Sequence, residues 1–136
     1  MERRFEEKTV RKALQRGYVD AQRLLASPSQ TQKFLLRLEE KEEVVRTVGE
    51  PLAAVPVLER LLRRYLDGEY TAISAAAMAQ VVSALLYFVS PWDLYPDSVP
   101  GKGYADDAAV LDCCWKLCQP ELEAYLAWER EQLVCR

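Results

Sequence analysis

No residue between positions 71 and 92 carries a charge, and this stretch constrains how everything else in the chain can be arranged. A helix over these positions has no polar face to offer water, so either its neighbours in the fold surround it or a bilayer does. Ala72, Ala75, Ala76, Ala77, Ala79 and Ala84 contribute little transfer free energy, while Thr71, Ser74, Gln80 and Ser83 oppose insertion. The expectation is a buried central helix whose alanines let neighbours approach closely. A membrane anchor over 71–92 is the competing expectation.

The segments before this run are built to cover it. From Phe5 to Ala26 the apolar positions Val10, Ala13, Leu14, Tyr18, Ala21, Leu24 and Leu25 recur at helical spacing, with charged residues on the remaining positions. Ser27, Pro28 and Gln30 suit the N-cap, N1 and N3 positions of a second helix, predicted to run to about Val48. Its acidic run Glu39, Glu40, Lys41, Glu42, Glu43 reads as a solvated face. Gly49, Glu50 and Pro51 break the pattern, and a third helix from near Pro56 buries Leu58, Leu61, Leu62, Tyr65 and Leu66. Gly68 suits the left-handed position that ends it.

Past the uncharged run, 106–117 and 121–134 read as two more helices, and no alternating apolar and polar run supports a strand. The predicted architecture is all-α: a single bundle of about five to six helices over 1–136. Amphipathic helices fill 1–67, and 68–136 holds the central helix with an ordered Pro/Asp-rich loop after it. A chain of 136 residues has length for one core and not two.

Composition then removes whole classes of chemistry. The chain contains no histidine, which excludes Ser-His-Asp and Cys-His nucleophile activation and His-ligated zinc. A net charge of -3 argues against a nucleic-acid binder, which needs a clustered basic face to release counterions. The charge is nevertheless uneven. Residues 1–70 carry 14 Lys and Arg against 12 Asp and Glu, and residues 71–136 carry 4 against 9. Cys113, Cys114, Cys118 and Cys135 lack the spacing of a disulfide framework or a second ligand pair, so they read as small buried hydrophobes. With a charged start and no apolar stretch behind it, the chain is expected in a reducing cytoplasm, with membrane association left open.

The candidate site is the Pro/Asp-rich loop. Ser90, Pro91 and Asp93 repeat the grammar of Ser27, Pro28 and Gln30, which predicts one helical turn ended before Pro96. Pro96-Asp97 and Pro100-Gly101 are turn signals, and Gly103 leads into a helix opened by Asp106 and Asp107. On one reading the four short acids cap backbone N–H groups and tie the loop down. On another, Asp93, Asp97, Asp106 and Asp107 converge on a hard divalent cation such as Mg2+, Ca2+ or Mn2+, since oxygen-only ligands suit these ions. A metal-dependent hydrolase using those acids follows from the second reading, with Lys102 as the obvious nearby cation. The aromatics Tyr87, Phe88, Trp92, Tyr95 and Tyr104 read chiefly as packing between the flanking helices.

These residues carry a resemblance. The run from Tyr65 to Trp128 resembles the YkvA-like family of uncharacterised proteins, through Ser90, Pro91, Asp93, Pro96, Asp97, Pro100, Gly101, Gly103, Asp106 and Asp107. Tyr65 to Tyr70 upstream and Leu122 to Trp128 downstream look like the family too. Trp92, Tyr95 and Ala105 depart from it, making the local surface more aromatic. The resemblance implies an all-helical domain of unknown function, in some members predicted to associate with membrane. The expected function is a small helical interaction domain, with 90–107 as its functional surface. Its partner is expected to be an unidentified protein, a membrane surface or a second copy of the chain, and no nucleic acid.

Overall fold

Helical periodicity in the sequence becomes helix after helix in the computed structural model, which describes residues 7–89 and 105–134; no strand occurs among them. In chain order the helices are α1 (Glu7–Leu25), α2 (Pro28–Glu40), α3 (Glu42–Val48), α4 (Ala54–Leu66), α5 (Ala75–Val89), α6 (Ala105–Leu117) and α7 (Gln119–Val134). A 3₁₀ turn over Glu50–Leu52 joins α3 to α4. The all-α class is as expected; the described helices are seven where five to six were anticipated.

The extra helix comes from the acidic run. The predicted second helix is broken at Lys41, which ends α2 and precedes α3. Past the bend, Val44, Val45 and Val48 are half-buried against the core. Arg63 on α4 holds the end of α2 in place by pairing with Glu39 at 2.9 Å. The fourth helix starts two residues before Pro56, which falls in its first turn where a missing N–H costs nothing.

The expected cap signals operate. Ser27 has extended backbone and its hydroxyl accepts from the Gln30 N–H at 3.5 Å, while the Thr31 hydroxyl donates to the Leu24 carbonyl at 2.7 Å and fixes the α1–α2 turn. Gly68 adopts a φ of 79°, the left-handed conformation predicted for it. Ser74, which had no assigned role, accepts from the Ala77 N–H at 3.1 Å and caps α5. The uncharged run is therefore helical only from residue 75 onward.

Helix α5 is the centre of the bundle. Eleven of its fifteen residues are buried, so no continuous face is left over for water or lipid. It packs on α1, α4 and α6. The closest neighbour is α1, where the buried Gly17 and Ala21 face it and the Ser83 hydroxyl donates to the Leu14 carbonyl at 2.6 Å. Small residues on both helices permit that approach, as the alanine content predicted. Among the described residues no helix is long and apolar enough to cross a membrane.

Candidate functional site

Two thiols fix how α5 and α6 lie on one another. Cys114 Sγ sits 3.5 Å from the Gln80 carbonyl oxygen, and Cys118 Sγ sits 3.9 Å from that of Ala77. Advancing four residues on α6 retreats three on α5, so the pair runs antiparallel. Residues 90–104 join Val89 at the end of α5 to Ala105 at the start of α6.

That stretch holds most of the sequence-predicted site. Ser90, Pro91, Asp93, Pro96, Asp97, Pro100, Gly101 and Gly103 lie outside the described residues. So do Trp92, Tyr95, Lys102 and Tyr104. Asp106 and Asp107 fall in the first turn of α6, where the helix dipole favours negative charge. Among the described residues no group of three or more Cys, Asp or Glu side chains is arranged to hold a metal ion.

The last turn of α5 is packed into the core. Tyr87, Phe88 and Val89 are all buried, as expected for the first two. Lys41, at the α2–α3 bend, places its ammonium 5.7 Å from the centre of the Phe88 ring. This brings a cation to the α5 end of the candidate site that a reading of the acidic run as solvated face missed. The signal was a single lysine amid four glutamates, which is hard to weigh without knowing where the helix breaks. On the α6 side, Cys113, Cys114 and Cys118 are buried free thiols, as the absence of a disulfide pattern implied. The hydrogen bond between Cys114 and Cys118 raises the Cys114 thiol well above its usual range, aided by burial, and lowers that of Cys118.

A second cluster joins the two outlying segments of the resemblance. Tyr70, just after α4, lies edge-on to Tyr125 with ring centroids 5.1 Å apart and 5.0 Å from the Trp128 ring. Beneath the rings, Glu129 receives a two-pronged contact from Arg60 at 2.7 and 3.0 Å and the Tyr125 hydroxyl at 2.9 Å. Arg64 stands 3.5 Å from the same carboxylate and 5.3 Å from the centre of the Trp128 ring, its buried Nη1 making no hydrogen bond. The Arg60 hydrogen bond holds Glu129 below the ordinary carboxylate range. Burial, reinforced by Glu129, pushes Tyr125 up to about 12. Glu121 completes the clamp by accepting from the Ser74 N–H at 2.7 Å and hydroxyl at 3.1 Å. This network ties α7 to α4 and to the start of α5, with Glu129 shared between two guanidiniums, so it reads as a brace for the α5–α6 pair.

A groove of about 300 Å³ between α3 and α4 has Leu38, Val45 and Val55 among its lining, with Arg46, Arg60 and Arg63 alongside. Each of these guanidiniums already holds a carboxylate: Glu43, Glu129 and Glu59 respectively.

Residues 77–111 match the model of the family described as a protein of unknown function, DUF1232. Over 69 residues the chain is 38% identical to the uncharacterized membrane protein YkvA of Bacillus subtilis. The chain is YkvA-like. The alignment with that relative takes in 51% of this chain and 65% of the relative's length. No solved structure matches the chain. Laid on the fold, the family match begins two residues into α5, crosses 90–104 and stops midway along α6. What the DUF1232 match covers is thus most of α5, residues 90–104 and the first half of α6. The braces from α1, α4 and α7 lie outside the match.

Proposed function

We propose that this YkvA-like chain is a small helical interaction domain that works at a membrane, with residues 90–107 as its functional surface. The observation that carries the reading is where the family match falls: on α5, the start of α6 and the stretch joining them. A packed scaffold that carries its binding residues between two of its elements is how folds commonly place function. The relative's description as a membrane protein supports the place of action. In this reading Asp93, Asp97, Asp106 and Asp107 supply the acidic groups that a protein partner or a divalent cation would engage.

The test is fractionation of cells making the full chain, with and without Asp93→Asn and Asp97→Asn. The native chain is expected in the membrane fraction and released by alkaline carbonate, and the double variant is expected in the supernatant with an unchanged melting temperature. Equal partition of native and variant chains would remove the segment from the function. A native chain found wholly in the supernatant would remove the membrane.

A further inference from the structure

Among the described residues, the cations of α3 and α4 differ in their pairing from three on the outer side of α1. Those on α3 and α4 are matched to carboxylates, Arg46 with Glu43, Arg60 and Arg64 with Glu129, and Arg63 with Glu39 and Glu59. Those on the outer side of α1 are not. Lys12, Arg16 and Arg23 are exposed and have no carboxylate within ion-pair distance among the described residues. At about 100° per residue, these three and Val19 fall within roughly 60° of arc on the helix. Val19 sits inside this arc and is 52% exposed. The opposite side of α1, with Val10, Leu14, Gly17 and Ala21, is buried.

The next helix repeats the pattern. Lys33 and Arg37 are exposed four residues apart on α2 without ion-pair partners among the described residues, and Leu36 beside them is 59% exposed. Two of the large apolar side chains that the fold leaves exposed thus stand among unmatched cations. A merely solvated helix would gain from acids interspersed with these bases, and on the exposed face of α1 between Lys12 and Arg23 the sequence places one, Asp20.

We propose that the outer face of α1, with Lys12, Arg16, Val19 and Arg23, docks on an anionic lipid bilayer. The cations meet lipid phosphates as a diffuse layer of charge, which requires no fixed pocket, and Val19 enters the headgroup boundary. Complementary charge is what selects this occupant: a locally basic face on a chain whose net charge is -3. The acidic α7 packs on α6 and, through Arg60 and Glu129, on α4, so the face offered to the lipid does not include it. The inference rests on the membrane reading above but assigns lipid contact to α1, leaving 90–107 to a partner.

The experiment is sedimentation of the purified full chain with phosphatidylcholine vesicles, with and without phosphatidylglycerol. Binding is expected to the anionic vesicles only, weakening as ionic strength passes about 0.15 M, where the screening length is about 8 Å. Replacing Lys12, Arg16 and Arg23 together by Gln is expected to weaken it about 100-fold, from roughly fivefold per cation. The exchange K12R/R16K/R23K is expected to preserve binding, and Arg130→Gln, an exposed cation on α7, to leave it unchanged. Native melting temperatures in each variant keep the comparison free of folding effects. Anionic-vesicle binding that the Gln variant retains would overturn the α1 assignment and leave the membrane reading standing. Absence of binding to any vesicle would overturn the α1 proposal, while carbonate-releasable chain in the cell membrane fraction would show that the membrane reading survives through a protein partner. Tighter binding to duplex DNA than to the anionic vesicles would overturn the lipid as the occupant.

Discussion

Lys41 and Phe88 are forty-seven positions apart in sequence, yet the ammonium of the first stands 5.7 Å from the ring centre of the second. The contact pins the α2–α3 bend to the last turn of α5, one residue before that helix ends. Lys41→Met keeps the apolar stem over the ring and is expected to cost under about 1 kcal/mol, whereas Lys41→Glu reverses the charge at the ring face and is expected to cost more. Urea midpoints of the two variants check the order; equal midpoints would show that the contact is incidental.

Glu129 is the acceptor for Arg60, Arg64 and Tyr125 at once. Its side chain is only 12% exposed, and removing its charge leaves Arg60 and the buried Nη1 of Arg64 without their shared carboxylate. Glu129→Gln is expected to destabilise by about 2 kcal/mol, lowering the melting temperature by about 5 °C. Arg64→Met, which removes a buried nitrogen that lacks a hydrogen bond, is expected to cost less. A calorimetric scan of each decides the ranking.

The same cluster sets the pH limits of stability. Tyr125 ionises near 12 in the folded chain against about 10 when unfolded, so its contribution is full below pH 10 and is lost as pH climbs toward 12. Glu129 has the opposite sense: its folded value is depressed by Arg60, so the stability it contributes is present above about pH 4.3 and disappears as pH falls through that lowered value. Tyr125→Phe is expected to flatten the alkaline limb and, by removing a donor to Glu129, to soften the acid limb slightly, whereas Arg60→Ala acts chiefly on the acid limb, in melting curves recorded across pH.

Ser83 joins α5 to α1 through the Leu14 carbonyl. Ser83→Ala is expected to cost about 1 kcal/mol for the hydrogen bond. Ser83→Val keeps the apolar character but adds bulk where the two helices are closest, and a penalty of about 1–3 kcal/mol is expected. Should Ser83→Val prove the more stable of the two, close packing would not be what holds α1 in place.

Asp106 and Asp107 stand in the first turn of α6. Asp106→Ala and Asp107→Ala are each expected to cost about 0.3–1 kcal/mol in metal-free buffer through loss of the favourable helix-dipole interaction. The cation reading makes a separate prediction: millimolar Mg2+ or Ca2+ should then raise the melting temperature, and Asp93→Asn or Asp97→Asn should abolish the rise. Calorimetric titration showing no heat with either ion would leave the acids as caps alone.

The central helix, its alanine-mediated closeness to α1 and the Ser27 and Gly68 signals could be read from residue spacing, because each rests on local periodicity or on one backbone preference. Contacts between distant segments could not. Nothing near Tyr70 announces that it meets Tyr125 and Trp128, and Glu129 looked like one more acid on an amphipathic helix until Arg60 came across from α4. The break at Lys41 was hidden for a related reason: helix propensity favours continuing through four glutamates, and nothing local shows that Val44, Val45 and Val48 pack on the core past the bend. As for the candidate site, its residue types were plain in the sequence, but the antiparallel packing of the two helices that flank it depended on the register that Cys114 and Cys118 set against α5.

That register carries an engineering consequence. Because α5 and α6 run antiparallel, the segment 90–104 connects the end of one helix to the start of its neighbour. A graft of equal span could replace it while the helices keep their partners, so recognition could be rewritten without renegotiating the fold.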